Sequence, residues 1–153
     1  MGFDLTGIKP LSDKGEYFRN NVWWWRPLWE YVYEQCKDIL DMKDTTYGSY
    51  NNGHKISNDK AIKIAIRLKA LVAMKHTKDY EIRYKHNMEQ APDEQCDLCL
   101  GTGKRIDMIV DNGCNKCNGS GMVRPFYTSY HFNEDNVIEF AEFCEESGGF
   151  EIW

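Results

Sequence analysis

Apolar residues recur at helical spacing early in the chain, after an irregular start that contains glycine and proline. Pro27 suits the first turn of a helix. Leu28, Val32 and Ile39 then fall at helical spacing on one face. This pattern predicts a helix from about Pro27 to Asp41. The next segment, TTYGSYNNGHKIS at 45–57, is rich in glycine, asparagine and serine, which predicts a loop.

Two later helices carry recognisable start signals. Ser57 or Asn58 can cap a helix over 58–77, in which apolar residues again repeat at helical spacing. Asn133 can cap a second helix, which has acidic residues in its first turn, where the helix dipole favours them, and Gly148 as its stop. Both ends of the chain are therefore predicted to contribute helices.

A short phrase, Cys-x-x-Cys-x-Gly-x-Gly, occurs twice between residues 96 and 121, and fourteen residues separate the two cysteine pairs. Each pair presents two sulfurs from one tight turn, and a hairpin between the pairs can bring all four to one tetrahedral Zn²⁺. Glycines carry no Cβ penalty at positive φ, so they let the backbone N–H groups point at the sulfurs. The predicted ligands are Cys96, Cys99, Cys114 and Cys117.

The residues around the cysteine pairs predict a small β-hairpin. A short strand from Arg105 to Val110 is followed by an Asp-Asn-Gly turn. The segment MVRPF at 122–126 can supply the returning strand. The hairpin and the cysteine pairs together form a predicted zinc module.

The predicted fold is α+β and mainly helical. We expect a single domain over 1–153, in which a helical body formed by both chain ends carries an inserted four-cysteine zinc hairpin module at 94–124. The segment at 79–90, before the module, fits either a helix or a strand, and Pro92 closes it.

The cysteines allow chemistry other than zinc binding. Iron–sulfur ligation also suits four thiolates. Two disulfides would use the same residues, but a chain without an export signal stays reduced. A thioredoxin-like redox pair needs a βαβ context that this sequence lacks. Four cysteines close the coordination sphere, whereas catalytic zinc keeps an open position, so we expect one structural Zn²⁺ as the cofactor.

The two repeats, CDLCLGTG and CNKCNGSG, resemble the repeats in the cysteine-rich zinc region of DnaJ-type chaperones. In that family four repeats make two zinc sites, so two repeats imply a single site. No His-Pro-Asp signature of a J domain occurs, and the chaperone-stimulating activity of that domain is not implied. More loosely, GFDLTGIKP with GEYFRNNVWWWRPLW at the start, and VIEFAEFCEESGGFEI at the end, are similar to small uncharacterised proteins of bacteriophages and their hosts.

Length and composition limit the number of domains and the expected cellular location. The 153 residues are 42% apolar, which suffices for one ordinary domain with a real core. No segment resembles a signal peptide, and nowhere do eighteen apolar residues follow one another. We therefore expect a cytoplasmic protein with no membrane partner, in a bacterial host cell if the chain is phage-encoded.

The segment NNVWWWRPLW at 20–29 is a candidate for both core and binding surface. Tryptophan side chains supply large apolar areas, so we expect most of them to pack between helices. Trp24 with Arg26 is the pair predicted to be exposed for binding. Cys36 and Cys144 fall on apolar helix faces and are predicted to be core thiols.

Charge is unevenly distributed along a chain whose net charge is −5. The range 55–85 holds nine Lys or Arg against three acidic residues. Lys60, Lys63 and Arg67 share one helix face and could follow a phosphate backbone, but Lys69 lies nearly opposite. A solvated helix face is the other interpretation of these residues.

The combined pattern predicts a small zinc-binding protein that acts by protein–protein interaction, as an adaptor or modulator of a protein partner. The alternative is a nucleic-acid or nucleotide binding protein that uses the basic range 55–85 and exposed aromatic residues. The third interpretation is an enzyme of unknown class with its site in the loop Tyr47 to His54. The sequence contains no Gly-rich phosphate loop, nucleophile elbow or paired carboxylates, so we expect no enzymatic activity.

Overall fold

The computed structural model describes residues 2–105 and 113–153. It is 49% helix and 14% strand, which confirms the prediction of an α+β, mainly helical fold. Beyond Arg105 itself, the predicted strand up to Val110 and the start of the turn after it lie outside the described residues. In chain order the elements are β1 (Gly2–Gly7), α1 (Asp13–Glu16), β2 (Tyr17–Asn21), α2 (Val22–Gln35), α3 (Met42–Tyr47), β3 (His54–Ile56), α4 (Asn58–Ala73), α5 (His76–Glu89), β4 (Glu94–Gln95), β5 (Met122–Val123), a 3₁₀ turn (Phe126–Ser129), α6 (Glu134–Glu146) and β6 (Phe150–Ile152).

The chain divides into two compact units. The main unit comprises Met1–Lys85 and Tyr130–Trp153, and the cysteine unit comprises His86–Ser129. The main unit contains a four-stranded sheet and most of the helices. The cysteine unit contains the two-stranded sheet of β4 and β5.

The main sheet joins strands from both ends of the chain in the order β2-β1-β6-β3. All neighbouring strands are antiparallel, and Leu5 of β1 lies opposite Ile152 of β6. Phe3 and Leu5 of β1 are buried and alternate with less buried neighbours, as expected for a strand with one face on a core. The prediction of an irregular start is therefore wrong.

Helix α2 begins earlier and ends earlier than the predicted range from Pro27 to Asp41. The Asn21 side chain accepts hydrogen bonds from the N–H groups of Trp23 and Trp24, which caps the helix before Val22. The helix ends at Gln35, and the side chain of Asp41 caps the next helix instead.

Pro27 lies inside α2, where it cannot donate a hydrogen bond to the carbonyl of Trp23 four residues earlier. The backbone N–H of His131 donates to that carbonyl at 2.9 Å. A segment distant in sequence therefore satisfies the acceptor that the proline leaves free, which explains how the helix continues through it.

The predicted loop at 45–57 contains regular structure at both ends. Helix α3 continues to Tyr47, and its capping box joins Asp41 and Asp44 reciprocally. Strand β3 follows at His54–Ile56 and pairs with β6. Only the middle of the segment connects elements, because tertiary pairing overrides the loop-like composition of the rest.

The later helices follow their start signals. The Ser57 hydroxyl accepts from the N–H of Lys60 before α4, and the Asn133 side chain accepts from the N–H of Asn136 in α6. Both caps confirm the sequence prediction. The ambiguous segment after α4 is the helix α5, and Gly148, with φ of 65°, follows the end of α6 as predicted.

The core of the main unit lies between α2, α4, α6 and the sheet. Trp25 and Trp29 are fully buried and stack with ring centroids 5.4 Å apart, which confirms that tryptophans of this segment pack in the core. Cys36 and Cys144 are also buried. Burial raises the pKa of Cys36 to about 12 and that of Cys144 well above its usual value, so both behave as core thiols.

Candidate metal centre

Four cysteine side chains meet inside the cysteine unit, and their sulfur atoms all lie within 4.8 Å of one another. All four residues are buried, and none forms a disulfide. These are the residues that the repeated phrase predicts as ligands: Cys96, Cys99, Cys114 and Cys117. The group can hold a metal ion.

Two separations between sulfurs of different repeats match the edge of a single-ion tetrahedron. A Zn–S bond of about 2.3 Å in a regular tetrahedron places neighbouring sulfurs about 3.8 Å apart. The Sγ atoms of Cys96 and Cys114 are 3.9 Å apart, and those of Cys99 and Cys117 are 3.7 Å apart. Each of these distances joins one pair to the other, so the two turns are already at the separation that a shared ion requires.

The two repeats exchange backbone hydrogen bonds in a reciprocal pattern. The N–H of Cys96 donates to the carbonyl of Gly121 at 2.9 Å, and the N–H of Cys114 donates to the carbonyl of Gly103 at 2.8 Å. In each case the first cysteine of one repeat bonds the last glycine of the other. The repeats therefore hold each other with an internal near-two-fold symmetry.

The four glycines meet two different backbone demands. All have positive φ: 81° at Gly101, 72° at Gly103, 80° at Gly119 and 78° at Gly121. A Cβ atom on Gly103 would also lie 2.3 Å from the carbonyl oxygen of Gly119, and one on Gly121 would lie 2.3 Å from that of Gly101. The second glycine of each repeat is therefore needed for close backbone approach as well as for its dihedral angles.

Hydroxyl side chains at equivalent places in the repeats support the turns, and the sequence reasoning missed them. The Thr102 hydroxyl donates to the carbonyl of Cys99 at 2.7 Å, and the Ser120 hydroxyl donates to that of Cys117 at 2.8 Å. The signal was available, because both residues stand between the two glycines of their repeat. Each hydroxyl satisfies a carbonyl in the turn that carries the second ligand.

The surroundings of Cys117 favour the thiolate form, which is the form that binds metal. Burial by itself raises the pKa of this thiol, but hydrogen bonds from the N–H of Gly121, from Cys114 and from Cys99 outweigh it and lower the pKa to about 6. The Gly121 nitrogen lies 3.2 Å from the Cys117 sulfur. This contact is the N–H to sulfur geometry that the glycine spacing predicts.

The flanks of the centre are fixed by pairing inside the cysteine unit. Strand β5 pairs with β4, so that Met122 lies opposite Gln95. Within the described residues, the predicted returning strand therefore pairs with the segment that precedes the first cysteine. Arg124 donates to the backbone carbonyls of Ala91 and Met88, which joins the chain on both sides of the module.

The structure separates Trp24 from Arg26, the pair predicted to be exposed together. Two residues along a helix are about 200° apart around its axis, so the side chains leave α2 on nearly opposite sides. Trp24 is half-buried against the ring of His131, with centroids 5.1 Å apart. Arg26 is exposed and lines a cavity with Trp25 and Trp29.

The three basic residues predicted as a phosphate-binding face are each paired with an acidic residue. Lys63 lies 2.7 Å from Asp59. Arg67 makes two hydrogen bonds to Asp38, at 3.0 and 2.8 Å. Lys60 pairs with two aspartates, Asp41 and Asp44. These pairs neutralise the face, which favours its interpretation as a solvated, ion-paired helix surface.

Comparison of the chain with protein-family models, curated proteins and solved structures finds no match. Among the described residues, every helix is too short or too polar to cross a lipid bilayer. The class of site therefore rests on its own geometry, which is that of a four-cysteine metal centre.

Proposed function

We propose that the protein binds one structural Zn²⁺ through Cys96, Cys99, Cys114 and Cys117, and that it acts by binding another protein. The observation that carries the metal proposal is the group of four buried sulfurs within 4.8 Å of one another. Tetrahedral thiolate sites are typical of zinc and of iron–sulfur centres. A multi-iron cluster would hold the sulfurs further apart than the edge of a single-ion tetrahedron, so zinc fits better.

The proposed role of the ion is structural. Four thiolates fill the coordination sphere of Zn²⁺ and leave no position for water or substrate. The reciprocal hydrogen bonds between the repeats also close the backbone around the sulfurs. The metal centre therefore stabilises the fold of the cysteine unit, and the surface of that unit is the part that binds the partner.

The surface of the cysteine unit supports a protein partner. Among the described residues of this 44-residue unit, five large apolar side chains are exposed. Leu100 is 61% exposed and Phe126 69% exposed. Apolar and aromatic side chains are the usual anchors of protein interfaces. The exposed residues are Leu98, Leu100, Met122, Phe126 and Tyr127.

The charge of the cysteine unit also favours a protein over a nucleic acid. The range 86–129 holds six acidic and four basic residues. Four thiolates outweigh the two positive charges of Zn²⁺, so the bound centre adds negative charge. Phosphate backbones require the opposite sign.

The metal proposal is tested by elemental analysis and X-ray absorption of the purified protein. We expect one zinc per chain with four sulfur neighbours at about 2.3 Å. Two metals per chain, oxygen or nitrogen among the ligands, or the visible absorption of an iron–sulfur cluster would contradict it.

The partner proposal is tested by quantitative pull-down with matched baits. We expect at least one protein that binds the wild-type chain and is lost from both Cys99→Ser and Phe126→Ser. Ile66→Ser is the control, because Ile66 is an apolar side chain 63% exposed on α4 in the main unit. The cysteine unit is not the binding element if the captured proteins still bind both variants. The same conclusion follows if Ile66→Ser reduces their binding equally.

A further inference from the structure

A cleft on the main unit has an aromatic floor and a polar mouth. Its volume is about 320 Å³, near the lower end of the range for small-molecule sites. The buried rings of Trp25 and Trp29 form the floor. Arg26, Glu30 and Tyr33 line one side from helix α2. The opposite side is the loop after α3, at Ser49 and Tyr50.

The walls of this cleft are fixed before any ligand arrives. The indole N–H of Trp25 donates to the carbonyl of Gly48 at 2.9 Å, and that of Trp29 donates to the carbonyl of Thr45 at 3.2 Å. A Cβ atom on Gly48 would lie 2.2 Å from the Trp29 ring, so only glycine allows this approach. Both floor residues therefore hold the opposite wall in place, and little order has to be gained on binding.

Polar groups without internal partners converge on the mouth. Within the part of the chain that the structure describes, Arg26 and Glu30 make no ion pair, and the hydroxyls of Tyr33 and Tyr50 make no hydrogen bond. Arg26 and Glu30 are one helical turn apart and face the same cleft. Most other basic residues of the main unit are ion-paired, as Lys60, Lys63 and Arg67 illustrate.

We propose that this cleft binds a purine nucleoside monophosphate, with guanine preferred. The base would stack on the ring of Tyr50, which lines the cleft and is 57% exposed, because the rings of Trp25 and Trp29 are fully buried. The Arg26 guanidinium would pair with the phosphate, for which its forked geometry is suited. The Glu30 carboxylate only accepts hydrogen bonds, so it selects a base edge with adjacent N–H donors, and guanine has such an edge.

This site lies in the main unit and uses none of the metal ligands, so it goes beyond the zinc-dependent binding proposed above. The volume fits one nucleotide and not a dinucleotide cofactor. A free nucleotide and a nucleotide within a single strand present the same groups. Titration with a guanine-containing trinucleotide beside GMP distinguishes these two sources.

The test is calorimetric titration of the zinc-loaded protein with GMP, AMP, guanosine and inorganic phosphate. We expect one GMP per chain with a Kd on the order of 10–100 μM. AMP and guanosine should each bind about tenfold more weakly. Inorganic phosphate alone should not bind measurably.

Two variants assign the contacts. Arg26→Gln should lower GMP affinity to that of guanosine, because the phosphate contact is lost while stacking remains. Glu30→Gln should remove the preference of GMP over AMP and leave the phosphate contact intact. Arg83→Gln is the control, since Arg83 is also an exposed arginine without an ion pair among the described residues, but it does not line the cleft. That variant should bind GMP like the wild type.

Several results would overturn the proposal. One is the absence of saturable binding at millimolar GMP. Another is GMP affinity that is unchanged in Arg26→Gln. A third is a loss of GMP affinity in Arg83→Gln equal to that in Arg26→Gln. Binding of free tryptophan in place of nucleotides would show that the cleft selects a zwitterion. A guanine-containing trinucleotide that binds more than tenfold tighter than GMP would show that the ligand is a nucleic-acid strand.

Discussion

Gly119 and Gly121 are two residues apart, and glycine is required at the two positions for different reasons. Both have φ near 80°, a conformation that costs any L-residue free energy. At Gly119 the nearest atom to an added Cβ is 3.9 Å away, whereas at Gly121 the Gly101 carbonyl oxygen is 2.3 Å away. A side chain at Gly119 would therefore cause only backbone strain, whereas one at Gly121 would also overlap the Gly101 carbonyl.

This difference gives a prediction for zinc affinity. Gly119→Ala should weaken zinc binding by roughly 1–2 kcal/mol, the strain of a left-handed alanine. Gly121→Ala should weaken it by clearly more, because the added methyl group pushes the two repeats apart. Competition with a chromophoric chelator measures both affinities. Equal losses in the two variants would show that the close approach of the repeats contributes nothing.

Glu81 is a buried carboxylate whose hydrogen-bond donors predict a pH-dependent contribution to stability. The residue is 4% exposed. Its carboxylate accepts hydrogen bonds from Lys78, from Lys85 and from the N–H of Glu134 at the start of α6. Burial by itself raises the pKa of Glu81, but these donors outweigh it and lower the pKa to about 2. The charged form therefore stabilises the folded main unit.

The lowered pKa sets the direction of a pH dependence. Stability from Glu81 is fully present above its ordinary pKa of 4.5 and is lost as the pH falls toward about 2. Glu81→Gln should lower the free energy of unfolding at pH 7 by up to roughly 3 kcal/mol. The difference from wild type should shrink below about pH 4.5. Urea unfolding at several pH values measures it.

The control for this prediction is Asp79→Asn. Asp79 is an exposed carboxylate on the same helix, with no ion pair among the described residues. Its removal should change the free energy of unfolding little at any pH. A difference between wild type and Glu81→Gln that stays constant down to pH 3 would argue that the charge of Glu81 is irrelevant.

Sequence reasoning reached some of these residues and not others, for a physical reason. The metal ligands and their glycines are predictable because the chemistry requires fixed local spacing within each repeat. Glu81 is not predictable, since one of its donors, the N–H of Glu134, lies 53 residues away. Trp24 and Arg26 were predicted to be exposed together, but Trp24 packs against the ring of His131, a contact between segments far apart in the sequence.

At the scale of elements, the capped helices α4 and α6 were predicted, whereas the strands of the main sheet and the caps of α2 and α3 were missed. Ser57 and Asn133 mark their helices because the cap needs only the next turn of chain. Strands β1 and β6 are short and become a sheet only when the chain ends meet. Helix α2 was misplaced because its interior proline is tolerated only through the distant N–H of His131.

The cap of α6 supports an element-scale prediction. The Asn133 side chain accepts from the N–H of Asn136 at 2.9 Å. Asn133→Ala should lower the free energy of unfolding by about 1 kcal/mol, because one donor at the helix start loses its partner. Chemical denaturation measures the change. Asn58→Ala, at the first position inside α4 rather than at its cap, is the control and should change stability by less.

At the scale of the whole molecule, the two units differ in what stabilises them. The main unit has an extensive core of buried aliphatic and aromatic side chains. Among the described residues of the cysteine unit, the buried apolar side chains are those of the four cysteines, Ala91 and Pro125. Bound zinc contributes apparent free energies of roughly 10–16 kcal/mol in isolated zinc-finger peptides. The cysteine unit should therefore depend on the metal for its fold.

Removal of zinc should unfold one unit and leave the other folded. In Cys99→Ser, we expect hydrogen exchange to accelerate throughout the described part of His86–Ser129 and to remain slow in the core of the main unit. Most of the helical circular dichroism should persist, because α2, α4 and α6 lie entirely in the main unit. Asn115→Ser is the matched control, since Asn115 is exposed beside a ligand and all four thiols remain. If the helical circular dichroism is lost together with zinc, the core of the main unit is not sufficient to keep that unit folded. If hydrogen exchange in the cysteine unit is unchanged, the metal does not stabilise the fold of that unit.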